Sequence, residues 1–254
     1  MNQSKKYVRS LAGIGLVLLL WQLVAQLHPM GKFMLPGPIQ VAASFVDHWQ
    51  LLVHHAGTTL MEAGIGLGIG IALGFATALL MERFPLLYDM FYPVLIISQT
   101  IPTVAIAPLL VIWFGFDLLP KVIIVVISTL FPITIGLLDG FHSIDPDYLQ
   151  LLQSMNASPR QMIRFVKLPF AQSHFFSGLR IAVTYSIVGA VIAEWLGGNN
   201  GLGVYMTRAR KSYSYDEMFA IIIFITALSL LLMGAVNLLE GISMPWKRKE
   251  RSKK

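Results

Sequence analysis

Side chains that could support acid–base or metal chemistry are sparse in this chain of 254 residues. It has six histidines, thirteen acidic residues and no cysteine. Neither the HExxH spacing that holds zinc on one helix face nor GxxxxGK[ST], which holds nucleotide phosphates, occurs. Asp145 and Asp147 are typical of a helix cap, and His54-His55 of a cap or surface role. We therefore expect no catalytic residue, no metal site and no cofactor bound by this chain.

A cluster of polar residues around Pro102 suggests a different kind of site. It lies in Met90–Phe116, a stretch of 27 residues without a charge. Polar side chains in a membrane usually face the interior of the helix bundle, and proline permits a kink there. The cluster either lines a substrate pathway or only satisfies a broken helix. The residues that we expect along such a pathway are Ser98, Gln99, Thr100, Pro102, Thr103, Tyr185 and Glu194, although Glu194 could equally be a carboxylate that reaches the membrane surface.

The composition indicates that these residues are positioned by membrane helices. Hydrophobic residues make up 56% of the chain and charged residues only 13%, where soluble domains average about 25% charged. The mean hydropathy is +0.68. Because about 20 apolar residues cross a bilayer, we predict an all-α polytopic membrane protein with six transmembrane helices. The predicted spans are Ser10–Gly31, Ala63–Met81, Met90–Phe116, Val122–Leu138, about Phe175–Ala193 and Met218–Leu239.

The distribution of basic residues predicts the orientation. With the amino terminus inside, 14 of the 19 Lys and Arg residues lie on the inner side and 5 on the outer side. Both termini are then cytoplasmic, and the net charge of +6 needs no nucleic acid to explain it. We expect a basic leader (1–9), one transmembrane domain (10–245) and a basic tail (246–254). The first span is expected to be an uncleaved anchor, because its apolar run is long and no clean cleavage site follows.

Five glycines in the second span predict close helix packing. They form the small-xxx-small pairs Gly64/Gly68, Gly66/Gly70 and Gly70/Gly74. Such pairs let two backbones approach each other in lipid. Packing within one subunit is the favoured interpretation, with a seam between two copies as the alternative.

The loop between spans four and five, about 141–174, predicts two short helices on the cytoplasmic side. Asp145-Pro146 begins the first, and Asn156 is placed for a left-handed end. Ser158-Pro159 begins the second, which Leu168-Pro169 is expected to end. Apolar residues exposed on such a loop usually mark a partner site. The first helix is expected to present Leu149, Leu152 and Met155 to the cytoplasm.

This loop resembles the cytoplasmic motif of permease subunits in binding-protein-dependent ABC importers. That motif reads Glu-Ala-Ala, three residues, Gly, nine residues, Ile-x-Leu-Pro. Here the same spacing joins Gln150-Leu151-Leu152, Asn156 and Val166-Lys167-Leu168-Pro169, with Asn in place of the Gly. The resemblance implies a coupling helix that docks into a separate ATPase subunit. The docking residues would be Tyr148, Leu149, Leu152, Met155, Asn156, Ala157 and Ser158.

Other segments resemble one subgroup of these importers. PTVAIAPLLVIWFG, from Pro102, resembles the nitrate, taurine and sulfonate permeases, whereas GAVIAEWLGG, from Gly189, resembles permeases for the pyrimidine precursor of thiamine. The pyrimidine precursor is the expected cargo, and taurine, aliphatic sulfonate, nitrate or riboflavin are alternatives. Arg208, Arg210 and Lys211 would contact the binding protein or simply be solvated.

The resemblance also implies the partners and the location of the chain. Two ATPase subunits that bind ATP and magnesium, an extracytoplasmic binding protein and a second permease copy would assemble with it in the bacterial inner membrane. A free-standing secondary transporter is the alternative from another class, although we find no internal repeat of the kind that such transporters often show.

Overall fold

The computed structural model describes residues 3–27 and 35–245, and every regular element in these ranges is helical. The predicted all-α fold is therefore confirmed. A π-helical turn, Ile163–Lys167, joins two of the helices. The helices are α1 (Gln3–Leu27), α2 (Pro38–Asp47), α3 (Trp49–Arg83), α4 (Pro85–Thr100), α5 (Thr103–Phe114), α6 (Leu118–His142), α7 (Pro146–Ser154), α8 (Pro159–Met162), α9 (Leu168–Leu196), α10 (Leu202–Lys211) and α11 (Tyr215–Ser243).

Four helical segments of the described residues are long and apolar enough to cross a membrane. They are α3, α6, α11 and the continuous segment Pro159–Leu196, and α4 with α5 makes a fifth if this bent pair is one span. The apolar part of α1, Ala12–Leu27, falls short of the usual length of about 20 residues. The predicted count of six is not confirmed. The predicted end of the first span at Gly31 and the basic tail lie outside the described residues.

The third predicted span is sharply broken. The axes of α4 and α5 differ in direction by 97°. Ile101 has φ −83° and ψ 118°, an extended conformation. The ring of a following proline disfavours helical geometry at the preceding residue, so Pro102 ends α4 at Thr100. The same proline precedes the first residue of α5, where its missing N–H costs no helical hydrogen bond.

Leu168-Pro169 does not end the helix that begins at Pro159, contrary to the sequence prediction. The chain instead passes through the π turn directly into α9, where Pro169 lies in the first turn. Proline removes one donor from the hydrogen-bond ladder, and a wider π turn adds a residue just before it. The cytoplasmic loop is therefore continuous with a membrane helix.

Two central helices organise the bundle. α6 and α9 lie against each other, α3 packs on α6, and α11 packs on α9. Lys167 pairs with Glu82 of α3, and Arg180 pairs with Glu240 of α11. These ion pairs fix α9 near the end of the bundle that carries α7. We call this the α7 end, and the opposite end, which carries α10, the α10 end.

The glycine prediction holds for one face of α3. Gly66, Gly70 and Gly74 are buried against Val125, Thr129 and Ile133 of α6. We call these three glycines the glycine stripe. Among the residues that the structure describes, none lies within 4 Å of the Cβ that a residue at Gly64 or Gly68 would carry. The stripe therefore packs two helices of one subunit, as the favoured interpretation had it.

We predict that Gly66→Ala destabilises the protein by about 1–3 kcal/mol, the usual cost of overpacking a core. The new Cβ would lie 2.5 Å from the Cβ of Val125, which is fully buried and cannot move aside. Unfolding in detergent, followed by titration with SDS, measures the loss. Gly68→Ala is the matched control, since its methyl group meets nothing, and equal stability of the two variants would contradict the prediction.

Candidate functional site

A cavity of about 240 Å³ opens where α4 breaks into α5. It lies about halfway along α6, at Ser128. We call it the break cavity. Its lining residues are Ser98, Gln99, Ile101, Pro102, Thr103, Ile127, Ser128, Tyr185, Val188 and Gly189. The structure thus gathers five of the seven predicted pathway residues from three helices, and it leaves out Thr100 and Glu194.

The polar side chains at the break do two different things. The hydroxyl of Ser98 donates to the carbonyl of Leu95 at 2.7 Å, and that of Thr100 donates to Ile97 at 2.8 Å. These two residues satisfy carbonyls at the end of α4. Within the described ranges, no hydrogen bond engages the side chains of Gln99, Thr103 or Tyr185. Their polar groups are available to a solute in the break cavity.

Glu194 lies in a separate buried network at the α10 end. Its side chain is almost fully buried, with 1% exposure. One carboxylate oxygen accepts a hydrogen bond from the Thr59 hydroxyl at 2.7 Å, and the other accepts from the Gly203 N–H at 2.6 Å. The alternative that Glu194 reaches the membrane surface is therefore wrong. This carboxylate joins α3, α9 and the first turn of α10.

The same network holds the loop that precedes α10. The Leu202 N–H donates to Thr59 at 2.9 Å, and the Gly201 N–H donates to Nδ1 of His55 at 3.1 Å. Gly201 has φ 123°, which favours glycine, and a Cβ there would overlap the Glu194 carboxylate. The ring of His55 stacks on Tyr205, with centroids 5.1 Å apart. Several bonds from α3 thus fix the start of α10.

A buried ion pair lies beside this network. Nζ of Lys121 is 2.6 Å from Oε1 of Glu62, and both side chains are largely excluded from solvent. The second carboxylate oxygen of Glu62 is buried and has no hydrogen-bond partner among the described residues. The pair borders a second cavity of about 470 Å³ that Asp117, Asn199 and Asn200 also line. Lys121, one of the five outward basic residues by sequence, is therefore neutralised within the bundle.

At the α7 end, helix α7 has the predicted caps. The Asp145 carboxylate accepts from the Asp147 N–H at 3.0 Å, Ser158 caps α8, and Asn156 has φ 56°. These local predictions are confirmed. We call α7 with the following Met155–Ser158 turn the docking helix, as a name for its position only.

The apolar face of the docking helix differs from the predicted one. Leu149 and Leu152 are half-buried against the protein. The exposed apolar side chains are Tyr148 (54%), Leu151 (60%) and Met155 (71%). Of the three residues predicted to face the cytoplasm, Met155 is exposed and Leu149 and Leu152 are half-buried, because leucines on more than one side of a nine-residue helix leave its orientation undetermined by sequence. Tyr148 and Met155, both predicted, remain on the exposed face.

Comparison with known families identifies the chain. Residues 66–249 match the family described as the inner membrane component of binding-protein-dependent transport systems. The match covers more than half of the chain. The chain belongs to this family of ABC importer permeases. Its alternative interpretation as a free-standing secondary transporter is excluded, and ATP hydrolysis belongs to a separate partner subunit.

Two curated permeases are similar to this one over nearly their whole length. A probable ABC transporter permease of Haemophilus influenzae is 36% identical over 232 residues, which are 91% of this chain and 95% of that protein. The formylaminopyrimidine transport permease ThiX of Halalkalibacterium halodurans is 36% identical over 237 residues, 92% and 94% of the two chains. Permeases of this family work with an ATPase and a binding protein in the inner membrane.

A solved transporter structure confirms the permease fold. The MetNI methionine ABC transporter, in an inward-facing conformation, superposes with a TM-score of 0.67. The superposition covers 76% of this permease and 96% of that chain, at 18% identity. At this identity the likeness concerns the fold alone.

The basic residues of α10 are placed at its exposed end. Arg208 donates to the carbonyl of Asn199 at 2.7 Å. Arg210 and Lys211 are exposed, and within the described part of the permease neither side chain has a hydrogen bond or ion pair. Glu217, at the start of α11, accepts a hydrogen bond from the Tyr205 hydroxyl at 3.0 Å. Burial raises the pKa of the Tyr205 phenol, and the bond to Glu217 raises it further.

Sequence reasoning missed the partners of Glu194. Thr59 and His55 lie in an ordinary apolar helix, and Thr59 is 135 positions from Glu194. The one available signal was Glu194 itself, because a carboxylate at that depth requires donors. The glycines around Leu202 offered exposed N–H groups as donors, whereas nothing in the sequence pointed to Thr59.

We predict that Thr59→Val destabilises the α10 end. It leaves the Leu202 N–H without its acceptor and one Glu194 oxygen without its donor, at about 1–3 kcal/mol for each buried group. SDS-induced unfolding and proteolysis in the Gly197–Gly201 loop measure the effect. Thr226→Val, at an exposed threonine that bonds only to its own helix, is the control. Equal protease sensitivity of both variants would show that the network does not hold the loop.

Proposed function

We propose that this permease carries a pyrimidine precursor of thiamine and that the break cavity lies on its pathway. The support is the relative named for formylaminopyrimidine, similar over 92% of this chain, together with the cavity halfway along α6. Unbonded polar groups at that depth are costly unless a polar solute uses them. A sulfonate, taurine, nitrate or riboflavin importer of the same build is the alternative.

The permease is proposed to act as a homodimer with two ATPase subunits. Gln99 and Tyr185 are exposed on an otherwise apolar surface of a single copy. Such groups are poorly solvated by lipid. A second copy facing them would turn this surface into the wall of a polar pathway, which supports a dimer with the break cavities turned inward.

The α7 end is proposed to face the cytoplasm and the α10 end the opposite side, with both termini cytoplasmic. The support is the 14-to-5 distribution of basic residues. Since Lys121 is buried in an ion pair with Glu62, the free basic charge at the α10 end is smaller than the count suggests. Lys167 and Arg180, both counted on the inner side, are likewise paired with Glu82 and Glu240, so ion pairing leaves the direction of the bias unchanged.

The docking helix is proposed to insert into the ATPase. Its exposed face of Tyr148, Leu151 and Met155 follows the spacing of one helix side, as in helix-in-groove recognition. Asn156, Ala157 and Ser158 form the turn at its end, and Leu149 and Leu152 are on the half-buried side of the helix. Helix α8 and the π turn connect the docking helix to α9, and Tyr185 of α9 lines the break cavity.

We expect Leu151→Asp to abolish co-purification of the ATPase from detergent and ATP-driven uptake of a labelled aminopyrimidine into vesicles. The new carboxylate would be buried in the groove without a partner, and we expect at least about a tenfold loss of affinity. Both readouts come from the same reconstituted complex with its binding protein.

The control for the docking experiment is Gln153→Asp, an exposed residue of the same helix on another side. It should retain both activities. Retention of the ATPase by Leu151→Asp would contradict the docking role. Uptake of taurine but not aminopyrimidine by the wild type would contradict the cargo while leaving the docking role intact.

Arg208, Arg210 and Lys211 are proposed to contact the binding protein. Arg210 and Lys211 have no bonded partner among the described residues, which makes them available to an acidic surface. Charges at the rim of an interface mainly accelerate association.

We predict that Arg210→Glu slows association of the loaded binding protein by about threefold to tenfold and flattens its dependence on salt. Surface plasmon resonance on nanodisc-embedded complex measures both quantities. Arg160→Glu makes the same charge change at the α7 end and should leave association unaltered. An unchanged rate for Arg210→Glu would mean that these residues are merely solvated.

A further inference from the structure

The chemistry of the break cavity distinguishes between the alternative cargoes. We propose that the break cavity selects a neutral, single-ring aminopyrimidine and that Gln99 recognises the ring through hydrogen bonds. This inference rests on the proposed function and deepens it, because it takes the class of cargo from the lining side chains. Its steps concern charge, hydrogen bonding and size.

The break cavity is uncharged. Its ten lining residues include no Asp, Glu, Lys, Arg or His, and its polar groups are two serines, one threonine, one glutamine and one tyrosine. An ion taken from water into such a site loses its hydration and finds no countercharge. Nitrate and sulfonates are anions, and taurine carries two charges. The lining therefore favours a neutral solute over these three.

Gln99 has the hydrogen-bonding pattern that an aminopyrimidine requires. Its amide places an acceptor and a donor side by side, and neither is engaged by a described residue. A ring nitrogen next to an exocyclic amine presents the complementary acceptor and donor. Glutamine forms the same two parallel bonds with adenine, whose edge carries this pair of groups. Ser98, its neighbour, cannot supply the pattern with a single hydroxyl.

Size and ring stacking complete the match. At about 240 Å³, the break cavity is below the range of about 300–1,000 Å³ in which drug-sized ligands bind. A single substituted ring fits within this space in one copy of the permease. Tyr185 of α9 also lines the cavity, and aromatic rings can stack on planar bases.

The test is equilibrium binding of a tritiated hydroxymethyl-aminopyrimidine to the permease–ATPase complex in nanodiscs, without the binding protein, whose own selectivity would mask the permease. We expect Gln99→Leu to weaken binding about tenfold or more, as for the loss of one bidentate pair. Gln50→Leu removes an exposed glutamine of α3 outside the cavity and should change nothing. Excess taurine, nitrate or riboflavin should not displace the label.

Binding of an analogue shows whether Gln99→Leu loses affinity only because the variant is misfolded. The same ring without its amino group should bind the wild type about tenfold more weakly, and Gln99→Leu should no longer distinguish the two compounds. Equal binding of both compounds by the wild type, undiminished affinity of Gln99→Leu, displacement by taurine or absence of binding would each overturn the inference. If ATP-driven aminopyrimidine uptake persists in those cases, the proposed function stands and only the role of Gln99 falls.

Discussion

The α10 end depends on the hydrogen bonds that the side chain of Glu194 accepts. This side chain is buried, and it accepts one hydrogen bond from α3 and one from α10 while belonging to α9. A buried carboxyl group whose oxygens lack hydrogen-bond donors is highly unfavourable. The three segments therefore keep their relative positions together. The placement of the exposed basic residues of α10 follows from this one group.

A second constraint shapes the middle of the bundle. Within a bilayer every backbone carbonyl needs a donor, and the break before Pro102 leaves carbonyls of α4 without one. The hydroxyls of Ser98 and Thr100 bond to two carbonyls of that last turn. Gln99 lies between them in sequence but makes no such bond, so satisfying the broken helix accounts for Ser98 and Thr100 and leaves the side chain of Gln99 unexplained.

Features set by local sterics were predictable from the sequence. The bend at Pro102, the left-handed Asn156 and the caps at Asp145 and Ser158 depend only on neighbouring residues, and all of them occur. Features set by distant contacts were not. The exposed side of the docking helix depends on how Leu149 and Leu152 meet the bundle, and no periodicity in nine residues reveals this.

The membrane spans show the same division. Apolar length located α3, α6 and α11, but it could not tell whether α4 and α5 form one crossing, because a 97° bend leaves hydropathy unchanged. Likewise Lys121 counts as an outward charge by sequence although Glu62 neutralises it. Pairings such as this one, between residues 59 positions apart, carry no local pattern.

The glycine stripe has a consequence for how such permeases diverge. It confines the strictest packing requirement to one face of α3, where even a methyl group is excluded at three positions. The break cavity is built from α4, α5, α6 and α9, and no residue of α3 lines it. Substitutions that retune the cavity thus leave the scaffold undisturbed, and one architecture can acquire new cargoes by changes in a few side chains.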